Sequence, residues 1–165
     1  TNKGVEFEAS VTPAPGLTFG GFASYLDSSA DVTVPNSGLV AGRQTAYQPM
    51  WKWGLNAGYS TELVGVGRLN LSADYSYTGK QNTFETSPSP ALHRFNPGYG
   101  LLNARLGLEG VGGSNFDLAV FASNLANKTY ILGDMGLGSS IGFESAVYGE
   151  PRMFGLSVTY HFGAR

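Results

Sequence analysis

Strict alternation of apolar residues with small or polar ones is the feature that most constrains how this chain folds. It is clearest in the segment of residues 154–162, near the C-terminal end. There the apolar positions are Phe154, Leu156, Val158, Tyr160 and Phe162, and the positions between them are Gly155, Ser157, Thr159 and His161. A period of two places the two sets on opposite faces of a β-strand. The segment therefore predicts a strand with one apolar and one polar face.

The same alternation recurs in seven segments along the chain. They cover residues 5–12, 17–26, 51–60, 68–77, 102–109, 116–121 and 154–162. None of them has the helical period, and turn residues such as Pro and Gly separate them. The sequence therefore predicts an all-β fold with about seven strands and no helices.

The connections between these segments alternate strictly between short and long. The short ones are residues 13–16, 62–67 and 110–114, and the long ones are about 27–49, 80–98 and 126–151. Outer-membrane β-barrels have short periplasmic turns and longer extracellular loops, whereas a soluble sandwich has no reason to sort its loops by length. The order indicates an antiparallel up-and-down transmembrane β-barrel segment whose long loops lie outside the cell.

Aromatic residues give an independent indication of the same architecture. With the long loops outside, one group lies at the outer strand ends and a second at the inner ends, with Leu, Val and Ala between them. The outer group is Tyr25, Trp51, Trp53, Tyr75, Tyr77 and Phe154, and the inner group is Phe19, Tyr59, Phe116, Tyr160 and Phe162. Two aromatic belts are expected at the two membrane–water interfaces.

The composition also fits an amphipathic barrel better than a soluble domain. Charged residues are 13% of the 165 residues, against about 25% in soluble domains, while aromatic residues are also 13% and glycines number 24. The mean hydropathy is −0.08, and no run of about 18 apolar residues predicts a membrane-spanning helix. The net charge of −2 indicates no basic surface for nucleic acid. The absence of cysteine excludes disulfides and thiolate metal sites.

Candidate catalytic and metal-binding residues are sparse. The two histidines are His93, in a Pro-rich loop, and His161, at a strand end on the predicted lumen face. Neither has a catalytic motif around it, and a two-His metal site would require them to meet. We therefore expect no catalytic residue, no metal and no cofactor, and the protein is not expected to be an enzyme.

Two C-terminal stretches resemble a known family, the TonB-dependent outer-membrane receptors. Residues 121–130 resemble the family segment NL-x-(D/N)-K-x-Y, and residues 148–162 resemble its closing strand, G-x-P-R-x-(F/Y)-G. The matching positions are Asn124, Leu125, Asn127, Lys128 and Tyr130 in the first stretch, and Gly149, Pro151, Arg152, Phe154, Gly155, Tyr160 and Phe162 in the second. Residues 4–17 also resemble an earlier hairpin of that barrel.

The resemblance implies a place for the chain within a larger protein. The family's barrel has about 22 strands and a plugged lumen. We therefore expect residues 1–165 to be the C-terminal portion of such a barrel, with the plug domain and the N-terminal strands absent from this sequence. The expected location is the bacterial cell outer membrane.

The resemblance also implies a function and its partners. The protein would be part of a TonB-dependent active transporter that imports a bulky, scarce nutrient such as a ferric siderophore or cobalamin. Loops 27–49, 80–98 and 126–151 would help to capture this small-molecule ligand. The other implied partners are outer-membrane lipid, the TonB complex through the absent N-terminal part, and the barrel-assembly machinery through the C-terminal strand.

The charges on the predicted lumen faces have two interpretations. They are Glu6, Glu8, Asp74, Arg105, Glu109 and Asp117. We expect a solvated or cross-strand-paired interior, and the alternative is a solute path or a contact with the plug.

Two other classes of protein remain open from the sequence. One is a small self-standing outer-membrane barrel with a structural or adhesion role, and the other is a soluble β-sandwich or lipocalin-like binder. A closed set of eight strands would favour the small barrel, whereas an odd, open set favours a part of a larger one.

Overall fold

The computed structural model describes residues 1–34, 41–82, 95–135 and 145–163. Eleven β-strands occur in these ranges. They are β1 (Asn2–Ala14), β2 (Leu17–Ser28), β3 (Trp51–Leu63), β4 (Gly67–Thr78), β5 (Gln81–Asn82), β6 (Phe95–Asn96), β7 (Tyr99–Glu109), β8 (Phe116–Ser123), β9 (Ile131–Met135), β10 (Ser145–Tyr148) and β11 (Met153–Tyr160). His93 and parts of the three predicted long loops lie outside the described residues.

Seven of the strands form one antiparallel sheet in the order β1-β2-β3-β4-β7-β8-β11. Each strand of this sheet pairs with the next one along the chain, so the up-and-down prediction is confirmed. Strands β1 and β11 lie at the two edges, and the sheet is not closed in the described part of the chain. The odd, open set is the arrangement expected of a barrel segment rather than of a complete small barrel.

Two short ribbons depart from the sequence prediction. Strands β5 and β6 pair within the second long connection, and β9 and β10 pair within the third. Both regions are loops in the sequence prediction, because neither has an extended alternating pattern. Backbone hydrogen bonds pair these short strands close to the ends of the main strands. Such bonds do not require an alternating pattern of side chains.

The observed ends of the main strands differ slightly from the predicted ends. Strand β2 continues to Ser28, so Asp27 was wrongly predicted to begin a loop; it pairs with Lys3 of β1. Strand β11 ends at Tyr160, and Phe162 lies beyond it. One 3-10 turn at Val111–Gly113 is the only helical element among the described residues, and none of their helices is long and apolar enough to cross a membrane.

The strand register keeps apolar side chains on one face of the whole sheet and polar side chains on the other. Leu71 pairs with Tyr59 on one side and with Leu106 on the other, within a surface that stays apolar from β1 to β11. Its chain neighbour Ser72 lies on the opposite face, across from Arg105. The alternation seen in the sequence is therefore in phase in all seven strands, because a one-residue slip would exchange the faces.

The sheet is a single layer and has almost no hydrophobic core. Among the described aliphatic and aromatic side chains, Ala119, at 6% exposure, is the one that is buried. By contrast, Leu156 is 69% exposed and Val158 is 58% exposed. A soluble sandwich would cover this face with a second sheet. An apolar face of this extent is typical of a surface that another apolar phase or partner covers.

Aromatic side chains pack in pairs at both ends of the strands. At the outer end, the ring centroids of Tyr25 and Trp51 are 4.8 Å apart. At the inner end, those of Phe116 and Tyr160 are also 4.8 Å apart, and Phe162 meets Tyr160 edge-on at 4.9 Å. Such pairs connect neighbouring strands where belts of aromatic residues are expected.

The polarity of the two faces can be tested with one charge placed on each. We expect Leu71→Arg to lower the free energy of unfolding by about 2–4 kcal/mol, because the guanidinium would enter hydrocarbon near the middle of the span. The measurement is a urea titration of the full-length gene product folded into phospholipid vesicles.

The matched control is the neighbouring residue on the polar face. Asn70→Arg introduces the same charge opposite Ser60 and Gly107, with no like charge directly across the ladder. Ser72 is unsuitable because Arg105 lies opposite it. We expect a much smaller cost for Asn70→Arg, and equal costs for the two variants would contradict a lipid-facing apolar surface.

Candidate functional site

The two C-terminal stretches that resemble family motifs, residues 121–130 and 148–162, meet at the outer end of β8 and β11. Asn124, which directly follows β8, is 3% exposed. Its Oδ1 accepts a hydrogen bond from the Lys128 N–H at 2.8 Å. Its Nδ2 donates to the carbonyl oxygens of Lys128 at 2.8 Å and Glu150 at 3.0 Å. One buried amide therefore joins the start of the third long connection to its end. We call residues 124–130 and 149–152 together the clasp.

The clasp is anchored to the neighbouring strand. The Asn103 Oδ1 accepts the Asn124 N–H at 3.0 Å, and the Leu102 carbonyl oxygen accepts the Leu125 N–H at 2.8 Å. Asn103 in turn donates from Nδ2 to Asp74 Oδ2 at 2.8 Å. A chain of polar contacts thus runs from the clasp across β7 to the lumen face of β4.

Asparagine suits two positions of the clasp for a conformational reason. Asn124 has a φ of 47° and Asn127 has a φ of 51°, both in the left-handed region. Asn adopts this region more readily than other non-glycine residues. The Asn127 Oδ1 also accepts the Arg152 N–H at 3.2 Å, which joins the two stretches a second time.

Tyr130 of the clasp packs against the start of β7. Its ring stacks on that of Tyr99 with centroids 4.5 Å apart. Its carbonyl oxygen accepts the Gly149 N–H at 2.9 Å, and its ring occupies the space where a Cβ at Gly149 would lie. Glycine is needed here because the aromatic ring passes directly over the backbone.

The structure divides the predicted motif positions into two groups. Those of the clasp come together at the outer end of the sheet, and they are Asn124, Leu125, Asn127, Lys128, Tyr130, Gly149, Pro151 and Arg152. Phe154 and Gly155 begin β11 beside them; the Arg152 guanidinium is 5.7 Å from the Phe154 ring centroid, and the Phe121 ring covers Gly155. Tyr160 and Phe162 lie at the opposite, inner end.

The charges predicted for the lumen lie on the polar face by register. Their contacts include several that the sequence did not indicate. Asp117 accepts the Gly110 N–H at 2.8 Å and also contacts His161 Nε2 at 2.5 Å. At the same inner end, Arg68 pairs with Glu62 at 2.5 Å. Among the described residues, no group of three or more His, Cys, Asp or Glu side chains could hold a metal ion.

A second polar assembly lies at the outer end of β2, β3 and β4. Ser28 is 1% exposed, and its hydroxyl contacts Asn2 Oδ1 at 2.7 Å and Thr45 Oγ1 at 2.8 Å. Asn82 of β5 donates from Nδ2 to the Gln44 carbonyl oxygen at 3.0 Å, and its own carbonyl accepts the Tyr47 N–H at 2.8 Å. We call residues 41–50 together with the ribbon β5–β6 the loop base.

The loop base borders a cavity next to the outer aromatic belt. Its volume is about 490 Å³, and it lies between Gln44, Trp51, Trp53, Tyr77 and Phe95. Lys80, which also lines it, places Nζ 3.3 Å from the centroid of the Phe95 ring, a cation–π contact. The first and second long connections are therefore joined into one structure beside the outer group of aromatic side chains.

The architecture and these outer-end assemblies together define the class of protein. A one-layer antiparallel meander with an apolar side, a polar side and connections that alternate between short and long has the architecture of a transmembrane β-barrel segment. The family model described as "TonB dependent receptor-like, beta-barrel" matches residues 1–125. The chain belongs to this family. No curated protein matches the sequence.

Several solved structures are similar to the chain. The ferric yersiniabactin uptake receptor FyuA from Yersinia pestis is 18% identical with a TM-score of 0.77, and the match covers 95% of this chain and 23% of that one. The ferric preacinetobactin receptor BauA from Acinetobacter baumannii is 23% identical with a TM-score of 0.70, covering 96% and 22%. FpvA of P. aeruginosa, bound to an iron–pyoverdine, is 18% identical with a TM-score of 0.66, covering 96% and 19%.

These similarities establish a shared fold. Each identity is below 25%, so the likeness concerns the arrangement of strands. The chain spans about a fifth of the length of each of these structures.

The packing of Tyr130 over Gly149 can be tested with paired glycine substitutions. We expect Gly149→Ala to lower the free energy of unfolding by about 1–3 kcal/mol, because the added methyl group overlaps the Tyr130 ring. Gly133→Ala, in β9 of the same connection, meets no atom within 4 Å and is expected to be nearly neutral. Both values come from urea titration in vesicles.

A double variant identifies the cause of the loss. If the ring causes the clash, Gly149→Ala should cost little in a Tyr130→Ala background. The same loss in both backgrounds would contradict the packing described.

Proposed function

We propose that this chain is the C-terminal portion of the barrel of a TonB-dependent receptor, which imports a bulky, scarce nutrient across the bacterial outer membrane. The match of the family model over residues 1–125 carries the proposal. Similar structures include receptors for ferric yersiniabactin and ferric preacinetobactin. They favour a ferric siderophore over cobalamin as the nutrient.

The three outer connections would capture the ligand, and the polar face of the sheet would line part of its path. The clasp supports this role because it fixes both ends of the third connection with buried hydrogen bonds. The loop base joins the first connection to the second, because Asn82 Nδ2 donates to the Gln44 carbonyl oxygen. In this scheme a plug gates the lumen, and the TonB complex supplies energy through the N-terminal part of the receptor. No bond of the nutrient changes, so the receptor would not be an enzyme.

The proposed partners follow from the two faces and from the last strand. Outer-membrane lipid would cover the apolar face, whose large side chains are exposed in the isolated sheet. The barrel-assembly machinery would engage β11 during insertion, because this strand forms one edge of the described sheet.

Seven strands by themselves should not persist in a membrane. Both β1 and β11 have an edge whose backbone N–H and C=O groups would be unpaired in hydrocarbon, and each such group costs several kcal/mol. The full receptor would supply the strands that close the barrel. The plug domain and the remaining strands, taking the total to about 22, would precede residue 1.

This division of the receptor can be tested with the 165-residue chain alone. We expect it to aggregate, or to remain unfolded, on refolding in detergent, and to show no heat-resistant monomer band on an electrophoresis gel. A compact, protease-resistant monomer would instead favour the self-standing small barrel.

Transport is tested in cells that lack their own ferric-siderophore receptors. We expect the full receptor to restore uptake of radiolabelled iron from at least one ferric chelate supplied in a panel. Deleting TonB or adding a protonophore should abolish the uptake, since the imported chelate is moved against its gradient. Uptake that continues without TonB, or no uptake from any chelate, would contradict the proposed function.

A further inference from the structure

Lys80 lies over an aromatic ring at the outer end of the sheet, beside a cavity. Its Nζ is 3.3 Å from the centroid of the Phe95 ring, and both residues line the cavity of about 490 Å³. None of the ion pairs between described residues includes Lys80. The face of the ring attracts the ammonium group without neutralising its charge, so the group can still pair with an anion.

One wall of the cavity consists of aromatic side chains of the apolar face. Trp51, Trp53 and Tyr77 line it together with Phe95. Trp53 pairs directly with Tyr77 across β3 and β4. Alternation places Trp51, Trp53 and Leu55 on one face of β3. The cavity therefore lies beside the apolar face of the sheet and not beside the polar face.

A ligand has access to this aromatic wall. Trp51 is 52% exposed, and Phe95 is 47% exposed. Two amide residues of the loop base, Gln44 and Asn82, also line the cavity. They are joined by the hydrogen bond of 3.0 Å from Asn82 Nδ2 to the Gln44 carbonyl oxygen. The cavity therefore combines an exposed aromatic surface, a hydrogen-bonded polar border and one ammonium group.

The place of the cavity along the strands favours an amphipathic ligand. Trp and Tyr prefer the headgroup level of a membrane, and a Lys side chain can bring its ammonium group to the same level. Toward the inner end of β3, the apolar face continues through Leu55 and Tyr59, which are both exposed. A molecule with a charged head and apolar chains matches both regions, whereas a small polar solute matches the cavity alone.

We propose that the cavity binds one phosphate-bearing lipid of the outer leaflet, with its phosphate group on Lys80 and its acyl chains along the apolar face. This inference rests on the proposed function for the location of the chain in the outer membrane, and it adds a lipid partner at a defined place. An ammonium group forms short, charge-assisted hydrogen bonds with phosphate oxygens. The pairing neutralises the charge beside the aromatic rings, which a lipid with an uncharged head cannot do.

The binding experiment uses the full receptor in a nonionic detergent. The receptor is titrated with bisphosphorylated lipid A and, in parallel, with the same lipid after removal of both phosphates. Native mass spectrometry measures the fraction of receptor that retains lipid. We expect Lys80→Met to weaken binding of the phosphorylated form about fivefold, the effect of one cation near an anionic headgroup. Binding of the dephosphorylated form should not change.

Two further variants separate the charge of Lys80 from damage to the fold. Lys80→Arg keeps a cation at the cavity and should retain most of the affinity for the phosphorylated lipid. Lys52→Met removes a cation from the same end of β3, but from the polar face, opposite Ser24 and Thr78. We expect it to bind both forms of the lipid as the wild type does.

Three results would overturn the proposal. One is an affinity for the phosphorylated lipid that Lys80→Met leaves unchanged. Another is a loss that is equal for the two forms of the lipid, or that Lys52→Met reproduces. The third is displacement of the phosphorylated lipid by inorganic phosphate at equal concentration, since free phosphate would then be the occupant.

The iron-uptake assay separates this inference from the proposed function. Uptake by a receptor whose lipid binding does not depend on Lys80 would refute the lipid site and leave the transporter role standing. Lipid binding that depends on Lys80, without uptake from any chelate, would refute the transporter role and leave the lipid site standing.

Discussion

Hydrogen bonding between neighbouring strands is the interaction on which the rest of this structure depends. A sheet one layer thick has no interior, so its backbone groups are satisfied only by the strands on either side. The ladders run in register from β1 to β11, and this register keeps Tyr59, Leu71 and Leu106 on one face while Arg105 lies on the other. Packing in the usual sense contributes little, because Ala119 is the one buried side chain among the described aliphatic and aromatic residues.

The outer connections need a different kind of support, because they extend beyond the sheet. The structure provides it with buried amides that bond to several backbone groups at once. Asn124 joins the two ends of the third connection, and Asn82 joins the first connection to the second. Both side chains are less than 9% exposed, at 3% and 8%. Loops anchored at their bases in this way can vary in sequence at their tips without loosening the barrel, which suits a receptor that captures a particular ligand.

The alternation of residues by itself determined the all-β fold, the seven main strands, the phase of their faces and the sorting of connections. Lipid and water place opposite demands on successive residues of a strand, so the periodic signal is strong. The ribbons β5–β6 and β9–β10 carry no such signal, and only the structure showed them. The contacts of Asn124 with Asn103, of Tyr130 with Tyr99 and of Asp117 with His161 were likewise decided by tertiary structure. They join positions far apart in the chain, and which residues meet depends on strand register and on the path of each connection, neither of which is written in local periodicity.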